Sequence, residues 1–321
     1  MPVLDMPLKE LVKYQGSSPC PDDIDVYWDR ALKELDATEP NNVFIKSEFQ
    51  VPGYECYDLF FDGVRNGKIH CKFIKPDKID NKAPALLSFH GYTDSAPSWM
   101  NLISYAAMGF VVCAMDVRGQ GGKSHDLNPV CGSTLQGHIV KGLDDEDADN
   151  MFYRQIFLDT AMVAKIVMNL DYVDEQKVCA MGGSQGGALT VACASLVPGI
   201  AKAVFQYPFL CDYKRVWDMD MAERAYVGIK EYFRHFDPMH ERENEIFMKL
   251  GYIDLQNISK RIKAKCMMIT GLMDDICPPS TQFAMYNKIT SEKEYKIFYE
   301  FGHEYYKEAD DITCQFLLFN K

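Results

Sequence analysis

Residues 177–186 read KVCAMGGSQG, a short apolar run that passes directly into the pattern G-x-S-x-G. An alanine-rich stretch at helix spacing follows to position 196, so the segment predicts a strand, a sharp turn and a helix. Such a turn holds Ser184 clear of the sheet, and its neighbours Gly182 and Gly186 leave the room that it needs. The pattern predicts a nucleophile at Ser184; the alternative is a glycine-rich turn without chemistry.

Outward from this turn, short apolar segments alternate with helical stretches, which is typical of a parallel sheet with crossover helices. The predicted strands are 85–89, 110–115, 177–181, 201–206, 266–270 and 294–299. The predicted helices are 98–108, 154–170, 186–196, 280–289 and 310–318. Before Pro84, three further strands at 43–51, 54–61 and 68–75 predict an antiparallel meander. The fold class is therefore α/β, with a mostly parallel sheet and an antiparallel N-terminal part.

A serine hydroxyl needs a base within reach, and that base needs an acid that fixes its tautomer. In the α/β-hydrolase fold these partners follow the serine in the order Asp or Glu, then His, each after a late strand. Asp274 follows the predicted strand 266–270, and His303 follows the strand 294–299. The sequence thus predicts an α/β-hydrolase fold with Ser184, Asp274 and His303 as catalytic residues.

Two parts of this site are less sharply defined by the pattern. Asp275 is adjacent to Asp274, and spacing alone does not separate the two carboxylates, although Asp274 is preferred. Acyl transfer also needs two N–H donors for an oxyanion. The backbone N–H of Gln185 is one candidate, and the loop after residues 89–91 supplies the other, with Tyr92 preferred.

The chain organisation predicts one domain over residues 1–321. Residues 1–40 carry a helical pattern and are expected to form an N-terminal extension. Residues 211–263 lie between two predicted strands and are too long for a simple crossover, so we expect a helical insertion over the site.

The charge, the cysteines and the first residues of the chain exclude several kinds of partner and cofactor. Asp and Glu number 46 against 34 Lys and Arg, so the net charge of −12 disfavours nucleic acid and membrane surfaces as partners. The 11 cysteines are odd in number and show no metal-ligand spacing, so we expect free thiols and no metal. Acyl transfer through a serine needs no cofactor, and none is expected. Residues 1–14 lack the pattern of a secretion signal, and the expected location is the cytoplasm.

The motifs together resemble carbohydrate esterase family 7, the acetyl xylan esterases and cephalosporin C deacetylases. They are Arg118-Gly119-Gln120-Gly121, the 182–186 elbow and His303-Glu304, with FHGY at 89–92, Gly137-His138 and GLMD at 271–274 beside them. The resemblance covers essentially the whole chain. It implies that the protein removes acetyl groups from xylooligosaccharides and from cephalosporin C. It also supports Asp274 over Asp275 as the acid and implies oxyanion donors at Tyr92 and Gln185. The expected assembly is a homo-oligomer with six subunits.

Other readings stay open at this point. The triad does not choose the leaving group, so a peptidase or thioesterase on the same fold is one alternative. A binding protein that kept the fold without activity is another. The Arg118 guanidinium is expected to tie loop carbonyls or a carboxylate together rather than to contact substrate.

Overall fold

A computed structural model describes residues 4–128 and 137–319 of the protein. Its centre is a nine-stranded sheet ordered β1-β2-β3-β5-β4-β6-β7-β8-β9. The strands are β1 (Val43–Lys46), β2 (Tyr54–Asp62), β3 (Lys68–Pro76), β4 (Ala83–Phe89), β5 (Val111–Met115), β6 (Val173–Gly183), β7 (Lys202–Gln206), β8 (Lys265–Gly271) and β9 (Lys293–Phe298). Pairing is antiparallel from β1 through β3 to β5 and parallel from β5 to β9.

Helices cover both faces of this sheet. They are α1 (Leu8–Leu11), α2 (Ile24–Asp36), α3 (Trp99–Ala106), α4 (Phe152–Met168), α5 (Gln185–Leu196), α6 (Tyr213–Asp218), α7 (Val227–Phe236), α8 (Glu243–Leu250), α9 (Leu255–Ile258), α10 (Pro279–Lys288) and α11 (Lys307–Leu317). Side chains of α2, α4, α5 and α10 share one apolar core, and side chains of α3 and α11 share the other. The predicted α/β class with its antiparallel N-terminal part is confirmed.

Burial explains why the central strands read as continuous apolar runs. Every residue of β5 is buried, because the strand has a neighbour on each side and helices over both faces. β2 lies nearer the sheet edge, and six of its nine residues are only partly buried. The strand predicted at 43–51 ends at Lys46, since residues 47–53 turn back through the tight approach of Val51 to Tyr54.

Helices α6 to α9 lie within residues 211–263, between β7 and β8, and we propose that this segment is an insertion over the site. Arg224 of this segment contacts Asp275 in the loop after β8, with the two side chains 3.2 Å apart. The N-terminal extension is held against the same segment by Tyr14 and Ser17, which both hydrogen-bond the buried carboxylate of Asp212. These contacts support the proposal of one domain over 1–321; residues 1–3, 129–136 and 320–321 lie outside the described residues.

The topology reverses between β4 and β6. From β4 the chain crosses to β5 on one side, and it then returns past β4 to form β6 on the other side. Ligand sites in open parallel sheets lie outside the carboxyl ends of the strands at such a reversal. The loops after Phe89 and Gly183 leave the sheet there, so this edge is where a site is expected.

Within the ranges 4–128 and 137–319, no helix is long and apolar enough to cross a lipid bilayer.

Candidate active site

The turn between β6 and α5 holds Ser184 in a backbone conformation that side chains rarely adopt, with φ 56° and ψ −119°. Close approach of the backbone explains the two glycines beside it. A Cβ on Gly182 would lie 2.4 Å from the carbonyl carbon of Gly186, and one on Gly186 would lie 2.0 Å from the carbonyl oxygen of Phe89. The Ser184 N–H donates to the Gln206 carbonyl at 3.0 Å, which anchors the turn to β7. The strain is thus sustained by the packing around it.

His303 lies in the loop after β9 and reaches the serine hydroxyl. Its Nε2 is 2.9 Å from Oγ of Ser184, and its Nδ1 is 2.8 Å from Oδ2 of Asp274. The loop is braced on both sides of Gly302, because its N–H donates to Glu304 and its carbonyl accepts the hydroxyl of Tyr306. The hydroxyl, imidazole and carboxylate therefore form a continuous hydrogen-bonded chain.

The Asp274 carboxylate is fully buried at the carboxyl end of β8. Its Oδ1 accepts the backbone N–H groups of Ile276 at 3.0 Å and Cys277 at 2.8 Å, which leaves Oδ2 for the imidazole. Asp275 instead points toward Arg224 and is about half exposed. Of the two adjacent carboxylates, Asp274 is the one that contacts His303.

Two other histidines lie near the site in roles unlike that of a base. His90 donates from Nδ1 to the Gly91 carbonyl at 2.7 Å and accepts the Val117 N–H at Nε2, which fixes a neutral tautomer. Burial also lowers the pKa of His90. Burial, with Lys141 nearby, lowers the pKa of His138 to about 4. Both rings are therefore neutral near pH 7.

The two proposed oxyanion donors come from two separate segments of the chain. Gln185 is the first residue of α5, and Tyr92 lies in the loop after β4. Among the residues that the structure describes, neither backbone N–H makes a hydrogen bond. A free N–H beside the nucleophile is what an oxyanion hole requires.

Gln120 links Gln185 to the loop that carries Tyr92. Its side-chain oxygen accepts the backbone N–H of Thr93 and the amide of Gln185, both at 2.9 Å. Its amide nitrogen donates back to Gln185 Oε1 at 2.7 Å, and the same oxygen accepts the hydroxyl of Tyr153. Gln120 therefore fixes the residue after Tyr92 relative to Gln185, although it does not face the reacting atoms itself.

Replacement of Gln120 by alanine is expected to lower kcat by about 5- to 150-fold, because a loosened oxyanion loop loses part or all of the roughly 3 kcal/mol that one preorganised donor supplies in the transition state. Steady-state kinetics on a small acetyl ester measure the effect. KM is expected to change less, since the amide pair does not line the cleft.

Gln176→Ala is a suitable control, because Gln176 is an exposed glutamine at the far end of β6. It is expected to keep wild-type kcat. Wild-type kcat in Gln120→Ala, with an unchanged melting temperature, would show that the amide pair does not position the loop.

Arg118, the first residue of the same motif, is buried and structural. Its Nε and Nη2 each donate to Asp159 at 2.6 Å, and Nη2 also donates to the Val64 carbonyl. The prediction that it ties a carboxylate and a loop carbonyl together is confirmed.

An open cleft of about 760 Å³ lies above the Ser184 hydroxyl. Tyr207 forms part of its floor: its ring packs edge-on against His303 with centroids 4.7 Å apart. Burial, with Asp274 nearby, raises the pKa of Tyr207 to about 12, so the phenol is neutral. The opposite wall is the loop from Asp94 to Ser98, which the buried carboxylate of Asp116 anchors by accepting the Ala96 N–H.

Gln120, Tyr207 and Tyr153 are site residues that the sequence reasoning did not assign. Tyr207 directly follows a predicted strand, so its place at the carboxyl edge was a usable signal. Gln120 stood in a quoted motif, but its partner lies 65 positions further along the chain. Within the described ranges, no group of three or more His, Cys, Asp or Glu side chains is arranged to hold a metal ion.

A nucleophile elbow at a sheet reversal, with an imidazole and a carboxylate in line behind the serine, defines the geometry of a serine hydrolase of the α/β-hydrolase fold. Solved structures agree with this fold. Acetyl xylan esterase 1 from Thermoanaerobacterium sp. JW/SL YS485 is 55% identical, with 98% of each chain covered and a TM-score of 0.96. The acetyl xylan esterase from Paenibacillus sp. R4 is 31% identical, with 97% of this chain and 99% of that chain covered and a TM-score of 0.92.

Sequence comparison leads to one family. The acetyl xylan esterase (AXE1) profile matches residues 1–319. Acetyl esterase Axe7A of Xylanibacter ruminicola is 28% identical over 313 residues, which cover 91% of this chain and 68% of that protein. The chain belongs to the acetyl xylan esterase family, and the protein is a carboxylic ester hydrolase.

Proposed function

We propose that this protein is a serine esterase that removes acetyl groups from acetylated sugars such as xylooligosaccharides, and from cephalosporin C. One observation carries the proposal: the imidazole of His303 contacts both the Ser184 hydroxyl and the buried Asp274 carboxylate beneath an open cleft. Membership of the acetyl xylan esterase family supports the acetyl group as the acyl part.

The proposed mechanism is acyl transfer in two steps. Ser184 Oγ attacks the acetyl carbonyl carbon while His303 takes the hydroxyl proton, and the N–H groups of Tyr92 and Gln185 receive the oxyanion. The bond to the sugar oxygen then breaks, and the imidazolium returns the proton to that oxygen. Water attacks the acetyl-enzyme in the same way, so that one water is consumed for each acetate and alcohol released.

The Asp274 carboxylate has a separate task in this mechanism. Because its Oδ2 accepts from Nδ1 of His303, the proton of the neutral ring stays on Nδ1 and Nε2 is free to accept from Ser184. The negative charge also stabilises the imidazolium that forms during attack. No cofactor takes part in the proposed reaction.

The part of the site that receives the acyl group is expected to accept acetyl and to exclude longer acyl chains. The Tyr92 hydroxyl accepts the backbone N–H of His138 at 3.1 Å, and the Tyr92 ring packs against Phe209. These two rings form an aromatic wall beside the oxyanion loop, and the contacts hold it in place. A methylene that does not fit costs about 1–3 kcal/mol. For acetyl, propionyl and butyryl esters of one alcohol, kcat/KM is therefore expected to fall about 10- to 200-fold from one acyl group to the next.

An amide with the same acetyl group tests the alternative of a peptidase. Phenyl acetate and acetanilide differ only in the leaving atom, and the esterase is expected to cleave the ester alone. Comparable hydrolysis of the amide would overturn the proposal, and so would equal rates for acetyl and butyryl esters.

Two further properties stay predictions. A hexamer is implied by the resemblance of the motifs. A cytoplasmic location is supported by the ten cysteines within the described ranges, which are free thiols.

A further inference from the structure

A second cavity adjoins the catalytic cleft. It has a volume of about 720 Å³ and lies between α3 and the start of α11. Pro97, Asn101 and Tyr305 line both cavities, so the two spaces meet along one shared wall. Either volume alone lies within the roughly 300–1,000 Å³ of a small-molecule site, and both far exceed the needs of an acetyl group.

Tyr305 stands at this junction as an exposed aromatic ring. Tyr305 is 66% exposed, so its ring is accessible from both cavities. The ring is held in place because its hydroxyl donates to Asp310 on α11 at 2.6 Å. Met100 on α3, 62% exposed, adds a second apolar surface on the side of the second cavity. A fixed aromatic face loses little freedom when a ligand stacks on it.

The other lining groups favour a neutral, hydroxyl-rich ligand. Asp94 and Glu304 line the catalytic cleft, and Asp310 and Asp311 line the second cavity. Asparagine and serine side chains lie between them. Neither cavity is lined by lysine or arginine in the part of the chain that the structure describes. The nearby Lys72 ammonium is already engaged by the carbonyls of Ala96 and Pro97.

We propose that the two cavities form one elongated binding site for a neutral oligosaccharide leaving group, with Tyr305 as the platform on which a pyranose ring stacks. Carboxylates accept hydrogen bonds from sugar hydroxyls, and amides both accept and donate them, whereas an aromatic face packs against the apolar C–H face of the ring. This inference rests on the proposed function, since the chain being bound carries the acetyl ester that Ser184 attacks. Several linked sugars would then be recognised, with Tyr305 between their subsites.

The first test compares acetylated xylotetraose with ethyl acetate, which has no ring to stack. In Tyr305→Ala the ratio of kcat/KM for the two substrates is expected to fall about 3- to 10-fold below the wild-type ratio. Tyr305→Phe keeps the ring and loses only the hydroxyl, so its ratio is expected to stay within about twofold of wild type. Tyr295→Ala removes a partly exposed tyrosine on β9 that lines neither cavity, and serves as the matched control.

Different results would contradict the stacking role of Tyr305 and the proposed function. A wild-type protein that cleaves ethyl acetate but no acetylated xylooligosaccharide would defeat the proposed function before any variant is compared. If wild type cleaves both and Tyr305→Ala keeps the wild-type ratio, only the platform is wrong. Equal loss in Tyr305→Ala and Tyr305→Phe would assign the effect to the bond with Asp310 and would also overturn stacking.

The second cavity has its own test. Ser104 is an exposed residue of α3 that lines this cavity and not the catalytic cleft, so Ser104→Trp fills the outer space alone. In wild type, kcat/KM is expected to rise from acetylated xylobiose to acetylated xylotetraose. The variant is expected to lose that rise. A rise equal to that of wild type would place the longer chain elsewhere.

Charge selectivity is measured with unacetylated probes as competitive inhibitors of ethyl acetate hydrolysis. Xylotetraose is expected to inhibit, and its inhibition constant is expected to be about 3- to 10-fold higher for Tyr305→Ala. Tetragalacturonate, which carries carboxylates along the chain, is expected not to inhibit at the same concentration. Equal inhibition by the two probes would overturn the assignment to neutral sugars.

Discussion

Ser184→Ala is expected to lower kcat by about a millionfold, because the alanine has no oxygen to form the acyl-enzyme. The residual rate would come from the oxyanion donors and from substrate binding. The fold is expected to survive, since within residues 4–128 and 137–319 the hydroxyl hydrogen-bonds only His303, and the backbone hydrogen bonds of the turn stay. Kinetics on a small acetyl ester and a thermal melt measure the two effects separately.

Ser195→Ala is the matched control for this substitution. Ser195 is a buried serine of α5, the helix that begins directly after Ser184, and its hydroxyl donates to the Val191 carbonyl away from the site. It is expected to keep wild-type kcat. If Ser184→Ala retained more than about a hundredth of the activity, the nucleophile would have to be another residue.

Asp274→Asn is expected to lower kcat by about 10⁴-fold while the protein stays folded. The asparagine oxygen can still accept from Ile276 and Cys277, so its amide nitrogen then faces His303. A donor at that place forces Nδ1 to accept, which moves the ring proton to Nε2. The imidazole then can no longer take the proton of Ser184. Kinetics with a melting curve measure this loss.

Asp275→Asn tests the adjacent carboxylate. Its ion pair with Arg224 is exposed and is expected to contribute little to stability or rate. The variant should keep kcat within about twofold of wild type. A large loss in Asp275→Asn together with full activity in Asp274→Asn would transfer the role of the acid to Asp275.

The order of strands and helices could be predicted because the central sheet is buried on both faces. Continuous apolar runs such as 111–115 and the helix at 185–196 therefore stand out, and their observed bounds lie within a few residues of the predicted ones. The first strand was predicted five residues too long. Its apolar pattern continues to Val51, but the chain already turns back there to pair with Tyr54.

The triad could be predicted because each of its members directly follows a strand or turn with its own local pattern. The bridge from Gln120 to Gln185 could not, since nothing in a linear pattern says which two loops meet above the sheet. The same holds for Tyr305. Its exposure and its contact with Asp310 exist only once β9 and α11 have been placed beside α3.

The contact between Gly186 and the Phe89 carbonyl has a practical consequence for altering this enzyme. The closest approach of the two oxyanion loops is set by main-chain atoms, and the Gln120 side chain links the loops above that contact. Libraries that vary the aromatic wall near Tyr92 or the rim near Tyr305, and that keep Gln120, can therefore change which esters are accepted while the oxyanion donors keep their positions. Position 186 itself is closed to such diversification.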